Sequence, residues 1–353
     1  MSALTYIGNT MKKFIPVGLL ILCSFSSYAS QCKTDYEQKN YEKAFIECKQ
    51  EAEQGHSSAQ YNLAFMYDDG EGIEQDKVKA AYWYTKAAEQ GEANAQFNLA
   101  LMYDKGDGIE QDKQKALYWY TKAAEQGEAN AQNNLALMYD EGDGIEQDKQ
   151  KALYWYTKAA EQGEANAQYN LALMYDEDDG IEPNKLKAAF WYEKSAEQGN
   201  VDAQYNLGVL YDEGDGIAQD KQKATYWYTK AAEQGEANAQ FNLALMYDED
   251  EGIEPNKLKA AFWYEKSAEQ GHSGAQNNLA SMYDDGEGIK QDKQKAIYWY
   301  TKAAEQDNST AQYNLALKYD EGDGIKQNKS LAKKYFKQSC DQGFVEACNK
   351  LKK

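Results

Sequence analysis

Seven tryptophans stand 36 residues apart, at Trp83, Trp119, Trp155, Trp191, Trp227, Trp263 and Trp299. So strict a spacing over most of a 353-residue chain confines it to a repeat architecture, in which one small unit is stacked on copies of itself. The phrase Ala-Gln-x-Asn-Leu recurs with the same period, from Ala59, Ala95, Ala131, Ala167, Ala203, Ala239, Ala275 and Ala311. Eight full repeats then run over residues 59–346. Residues 30–58 read as a shortened leading hairpin that caps one end. Residues 347–353 begin a ninth repeat and stop, as a C-terminal capping helix.

Each repeat reads as two helices. In the first, Ala59, Leu63, Met66 and Tyr67 follow i, i+4, i+7, i+8, one apolar stripe of a 3.6-residue helix. The stripe ends in Asp68-Asp69-Gly70-Glu71-Gly72, where glycine can take the left-handed conformation that stops a helix. The second glycine position is kept throughout, whereas the first becomes Asp178 and Asp250 in two repeats; Asp tolerates that conformation better than most residues. Ile73 offers an apolar plug for the turn. The second helix follows an N-cap that is always Asp or Asn: Asp76, Asp112, Asp148, Asn184, Asp220, Asn256, Asp292 and Asn328. Pro183 and Pro255 precede two of these caps, where proline does no damage. The stripe Ala80, Trp83, Tyr84, Ala87, Ala88 is helical again, and Gly91 closes it. The fold class is all-α. A hairpin of this kind cannot bury both its faces, so the repeats must stack on their neighbours, and the ends need caps. The last repeat departs as a cap should, with Lys318 in place of Met66 and Tyr335 in place of Trp83.

The first 29 residues read as a signal peptide. Lys12 and Lys13 precede an apolar run from Phe14 to Leu22, and Ser27-Tyr28-Ala29 supplies small residues for cleavage after Ala29; translation can begin at Met1 or Met11. The run is too short to favour a membrane-spanning helix, so no membrane insertion is expected after cleavage. All 38 basic residues are lysine, set against 58 Asp and Glu for a net charge of −20, and loss of Lys12 and Lys13 takes this to −22. Such a field repels phosphate backbones and disfavours nucleic acid as a partner. Cys23 leaves with the signal. Cys32, Cys48, Cys340 and Cys348 remain, an even number in the oxidising compartment that export implies. Four cysteines allow three pairings; only Cys32 with Cys48 and Cys340 with Cys348 are local, and these two disulfides are expected.

The motif Ala-x-x-x-Leu-(Gly/Ala)-x-x-Tyr-x-x-Gly-x-Gly-Ile-x-x-Asp-x-x-Lys-Ala-x-x-Trp-Tyr-x-Lys-Ala-Ala runs from Ala59 to Ala88 and recurs in each copy. It resembles the Sel-1-like repeat, a relative of the tetratricopeptide repeat with a longer loop between its helices. Cys340-Asp341-Gln342-Gly343 with Cys348 is similar to the cysteine-rich secreted bacterial members, in which such pairs are disulfides. The resemblance covers nearly all of the mature chain. It implies a right-handed α-solenoid of helix–turn–helix repeats that acts as an adaptor in protein complexes, with the first helices along the concave side. It does not identify a partner.

Positions 61, 62 and 65 of each repeat lie away from the core stripe on a helical wheel and form the candidate binding face. Position 61 carries Tyr61, Phe97, Asn133, Tyr169, Tyr205, Phe241, Asn277 and Tyr313. An asparagine follows each: Asn62, Asn98, Asn134, Asn170, Asn206, Asn242, Asn278 and Asn314. A ladder of carboxamides could hydrogen-bond an extended peptide while the aromatics grip its side chains. Equally, each asparagine could tie its own repeat to the next. Positions that vary while the frame stays fixed, 61 and 65 and their equivalents, carry the more telling signal.

Other chemistry has less to stand on. The acidic loops lack the alternating oxygen ligands of an EF-hand and read as solvated turns. No metal site or cofactor is expected, since no metal-ligand spacing of His and Cys occurs. His56 and His272 lie beside inter-repeat glycines and read as surface turns. Some cysteine-rich relatives carry a penicillin-binding or β-lactamase label. Ser30-Gln31-Cys32-Lys33 and Ser330-Leu331-Ala332-Lys333 do fit Ser-x-x-Lys, but neither Ser-Asp-Asn nor Lys-Thr-Gly accompanies them. The chain therefore reads as a periplasmic or secreted scaffold for a protein or peptide, not as an enzyme; the β-lactamase reading is the alternative.

Overall fold

The computed structural model describes residues 31–177, 180–249 and 253–352. The expected signal segment with Cys23, together with Ser30, Asp178 and Asp250, lies outside the described residues. Among the described residues there are helices and turns and no strands. Two helices lead, α1 (Gln31–Glu37) and α2 (Tyr41–Glu53). Eight hairpins follow: α3 (Ser57–Asp69) with α4 (Lys77–Glu89), α5 (Ala93–Lys105) with α6 (Lys113–Glu125), α7 (Ala129–Glu141) with α8 (Lys149–Glu161), and α9 (Ala165–Asp176) with α10 (Lys185–Glu197). The series continues with α11 (Val201–Glu213) and α12 (Lys221–Glu233), α13 (Ala237–Asp248) and α14 (Lys257–Glu269), α15 (Ser273–Asp285) and α16 (Lys293–Ala304), and α17 (Ser309–Glu321) and α18 (Lys329–Asp341). A short α19 (Val345–Leu351) closes the chain. Each helix packs on the one before it and the one after it, which makes an all-α solenoid.

The caps are where the sequence places them. All eight Asp or Asn residues before the second helices accept a backbone N–H with their side chains, as Asp112 does from Gln114 and Lys115 at 3.1 and 3.0 Å. The core differs from the expected stripe in detail. Ala59, Leu63 and Met66 are buried, but Tyr67 is only half-buried, and Ala64 and the polar Gln60 join the interior. On the second helix Tyr84 is fully buried while Trp83 sits at the surface seam. The tryptophans bridge successive units; Trp119 packs against the Tyr84 cluster and against the Tyr120 cluster. At the two ends the cysteine sulfurs stand at bonding distance, Cys32 to Cys48 at 2.05 Å and Cys340 to Cys348 at 1.96 Å.

The two loop glycines answer to different needs. Gly106 ends its helix at φ +73°, whereas Gly108 lies where the loop touches the start of the preceding second helix. A β-carbon on Gly108 would stand 2.5 Å from Lys77 Cβ and 2.6 Å from the Lys77 carbonyl oxygen. Where the sequence replaces the first glycine, α9 and α13 stop one residue early on an extended Glu177 or Glu249.

His272 is more than a surface turn. Its Nδ1 accepts the Ala275 N–H at 3.0 Å as the N-cap of α15, and its ring stacks on Phe241 with centroids 4.3 Å apart. Burial holds the imidazole below its ordinary value, against a smaller opposing pull from Glu236.

Two predictions follow from these contacts. Gly108→Ala combines a left-handed φ with a backbone clash and should cost about 2–4 kcal/mol. Gly127→Ala, at φ +95° with nothing within 4 Å of the new β-carbon, should cost about 1–2 kcal/mol. Urea unfolding of the two variants checks the order. For His272, the unfolded chain binds a proton near the ordinary histidine value while the folded chain resists it, so stability is full above that value and falls as pH drops through it. His272→Asn, the residue found at Asn200 and Asn308, keeps a cap that does not titrate. Thermal unfolding between about pH 7 and about pH 5 should show a smaller loss for the variant than for the native chain.

Candidate functional site

The expected binding face rests on a polar lattice inside the solenoid. Its first element is the glutamine after each leading alanine. Gln96 Nε2 donates to the Ala88 carbonyl of the preceding second helix at 3.1 Å, and its Oε1 accepts from Gln126 Nε2 of its own hairpin at 2.7 Å. The same pair of bonds recurs in all eight hairpins, from Gln60 to Gln312.

The second element joins the loops. Lys113 Nζ pairs with Asp104 Oδ1 of its own loop at 2.6 Å and also reaches Asp143 in the next loop. Lys77, Lys185, Lys257 and Lys293 span neighbouring loops in the same way. The acidic turns are therefore partly neutralised crosslinks, not free decoration. Among the described residues no three His, Cys, Asp or Glu side chains converge as a metal site would require.

The third element decides what the asparagines do. Tyr264 donates from its hydroxyl to Asp248 Oδ2 at 3.2 Å and accepts from Asn278 Nδ2 of the next hairpin at 3.1 Å. Burial, and then the charge of Asp248, push this hydroxyl above its ordinary value and keep it a donor. Asn98, Asn134 and Asn206 make the equivalent bond to Tyr84, Tyr120 and Tyr192 at 3.0, 3.1 and 3.3 Å. Asn62 donates to Cys32 Sγ at 3.5 Å. The asparagines thus tie one repeat to the next, while all eight keep partial exposure.

The aromatic partners of these asparagines lean on the same tyrosines. Tyr61, Phe97, Tyr169, Tyr205 and Phe241 stand 5.9–6.1 Å, centroid to centroid, from the buried tyrosine of their own hairpin, and Tyr313 stands 5.7 Å from Phe336. They are half-buried, less open than the helical wheel suggests. Asn133 and Asn277 break the pattern. Each draws the following asparagine to itself, Asn170 Nδ2 to Asn133 Oδ1 and Asn314 Nδ2 to Asn277 Oδ1, both at 3.2 Å. Asn133 is buried, and Leu137 one turn further on is exposed.

One surface feature escapes the motif reading. Tyr82, Tyr118, Tyr154, Phe190, Tyr226, Phe262 and Tyr298 are about half exposed on the second helices, each edge-on to the adjacent tryptophan at 4.8–5.0 Å. An aromatic immediately before each Trp, off the core stripe, is the signal that marks them. Ser330 and Lys333 of the Ser-x-x-Lys match are both exposed, in the first turn of α18.

The family model described as Sel1 repeat matches residues 57–92, 93–128, 129–164, 165–200, 201–236, 237–272, 273–308 and 309–344. Among solved structures the chain is similar to a protective antigen present in uropathogenic Escherichia coli strains that displays an SLR fold. The identity is 38% and the TM-score 0.78, over 88% of this chain and 68% of that one. It is also similar to a Sel1 repeat protein from Oxalobacter formigenes, at 37% identity and a TM-score of 0.60, over 67% of this chain and 94% of that one. No curated protein matches the chain.

The tyrosine network gives a graded prediction. Tyr264→Phe removes both bonds, leaving a half-buried amide without this partner, and should cost about 1–2 kcal/mol. Tyr156 has no amide from Asn170 and only a 3.5 Å contact with Asp140, so Tyr156→Phe should cost about 0.5 kcal/mol or less. Urea unfolding midpoints of the two variants against the native chain test the difference.

Proposed function

The chain belongs to the Sel1 repeat family, and we propose that it is an exported scaffold that holds a protein or peptide partner along its first helices. The observation that carries this reading is the division of labour within the repeat. The glutamine ties are copied through all eight units, while position 61 is aromatic in six repeats and Asn in two, and position 65 is Leu in five and Phe65, Val209 or Ser281 in the others. A fixed frame beneath a changing surface is what a recognition face requires. Residues 61, 62 and 65 of each repeat supply the contacts, through the ring edges and whatever hydrogen-bonding capacity the asparagines have beyond their internal bonds. Residues 30–58 and 347–353 cap the two ends.

Export is supported by the two cysteine pairs, since disulfides persist in oxidising compartments. The lysine-containing, apolar start of the chain agrees with it. Among the described residues no helix is long and apolar enough to cross a membrane. A net charge of −20 favours a partner with a basic surface over nucleic acid. For a β-lactam hydrolase, the one Ser-x-x-Lys match wholly within the described residues places Ser330 and Lys333 exposed on a helix surface.

Site-specific photo-crosslinking in the source cell tests the face. A photoreactive residue at Leu137 should capture a discrete partner, whereas one at Lys122, on the exposed side of α6, should not. Equal capture at both positions, or none at Leu137, would sink the first-helix assignment.

A further inference from the structure

Two departures from the repeat meet at one place. Asn133 brings no ring to Tyr156 and turns Asn170 away from it, and α9 ends early on Glu177. Beside them, between α7 and α9, lies a cavity of about 220 Å³. Leu137, Leu173 and Met174 form its apolar wall, and Tyr156, Asn170, Asp140, Glu141 and Glu177 its polar side. Asp140 Oδ1 is held by Lys149 at 2.8 Å, while Oδ2 faces the Tyr156 hydroxyl at 3.5 Å, the longest such contact among the hairpins with this bond.

Part of this arrangement recurs in the chain with a lysine in place, although there α17 runs on to Glu321 and Ser281 stands where Leu137 does. Four repeats later, Asn277 stands for Asn133, Asp284 for Asp140 and Tyr300 for Tyr156, and Asn314 is again turned to its neighbour at 3.2 Å. Here the residue corresponding to Met174 is Lys318. Its ammonium pairs with Asp284 Oδ2 and, at 2.8 Å, with Asp323, and its side chain is only 12% exposed. Given a lysine, this site seats it against the carboxylate that the first copy leaves with a single lysine partner. The two copies differ in the source of the cation. In the second it comes from the chain, and in the first no lysine among the described residues lines the cavity.

We propose that the cavity between α7 and α9 receives the side-chain ammonium of a lysine presented by a partner protein. The proposal deepens the scaffold reading above and rests on it. The methylenes of a lysine lie along Leu137, Leu173 and Met174, and the charged head meets Asp140, Glu141 and Glu177, with Tyr156 beside it. A long apolar stem under a charged head suits a half-apolar cleft, where a bare metal ion would have nothing to set against the leucines. The partner is another protein and not a second copy of this chain, because two bodies of charge −20 repel.

The test uses a substitution that the chain has already made. Met174→Lys installs the Lys318 arrangement and fills the cavity from within; Met174→Leu, the residue at Leu210, leaves it open. Unchanged thermal unfolding of both variants shows that the fold is intact. In ¹³C-methyl-labelled full-length protein, n-butylammonium should shift the methyl resonances of Leu137 and Leu173 saturably in the native chain and in Met174→Leu. It should not do so in Met174→Lys, and neutral n-butanol should shift neither. Equal responses to the two probes, or none to the amine, would overturn the cation site without touching the scaffold reading. In the crosslinking experiment at Leu137, Met174→Lys should reduce capture about tenfold or more, Met174→Leu should not, and the captured segment should contain a lysine. Capture undiminished by Met174→Lys refutes the proposal and leaves the scaffold standing. An amine response with no lysine-bearing partner captured refutes it too, and assigns the cavity to a free amine.

Discussion

The spacing of the whole solenoid depends on one buried amide. Gln96 lies between two second helices and is bonded at both ends, its nitrogen to the last turn of α4 and its oxygen to Gln126 beyond α6. Neither bond can be kept if the helices slide or splay by more than a few tenths of an ångström. An unpaired amide in that interior costs about 1–3 kcal/mol, comparable with the hydrophobic gain from one core side chain. The surrounding alanines, Ala88, Ala95 and Ala100, are all fully or almost fully buried and have no bulk with which to enforce a register of their own. Apolar contact therefore supplies cohesion, and the glutamine supplies the repeat distance. Everything on the surface, including the loop lysines and the asparagine face, inherits its spacing from that bond.

Much of this architecture can be read from the chain. The two stripes, the eight Asp and Asn caps, the glycine stops and the pairing of local cysteines follow from periodicity and backbone chemistry, because those signals are local in sequence. The polar lattice is harder to read. Gln96 sits next to Ala95 in a phrase that looks like surface punctuation, and its two partners lie 8 and 30 residues away. Lys113 looks like a solvated helix start until its second carboxylate, 30 residues on, is in place. The asparagines were open to two readings because a helical wheel shows direction but not what stands there. Asn98 points off its own core stripe into the edge of the neighbouring hairpin, where the Tyr84 hydroxyl waits.

The same lattice explains why small sequence changes have local meaning. In a linear stack each unit touches only its neighbours, so an exchange at one position alters one seam and leaves the others as they were. Replacement of a ring by Asn133 redirects Asn170 away from Tyr156, which stays buried, yet Tyr192 with Asp176 and Asn206 keeps the usual bonds one unit further on. Asn277 repeats the redirection at Asn314, but there Lys318 stands where the first seam has Met174. Two related seams thus hold charge differently: Asp284 is met by both Lys293 and Lys318, and Asp140 by Lys149.

The ends set the last constraint. A terminal hairpin has a neighbour on one side only and gains half the stacking of an internal one, so it is the first place a solenoid frays. Both cysteine pairs lie there, joining residues 16 and 8 apart in sequence. Crosslinks over such short loops restrict the unfolded chain by about 2–3 kcal/mol each, close to what a missing neighbour withholds. The disulfides matter less to the interior, where the glutamine bonds are complete on both sides. Reduction should therefore loosen the two ends before it loosens the seam between α7 and α9, whose geometry is set by its own neighbours and not by the termini.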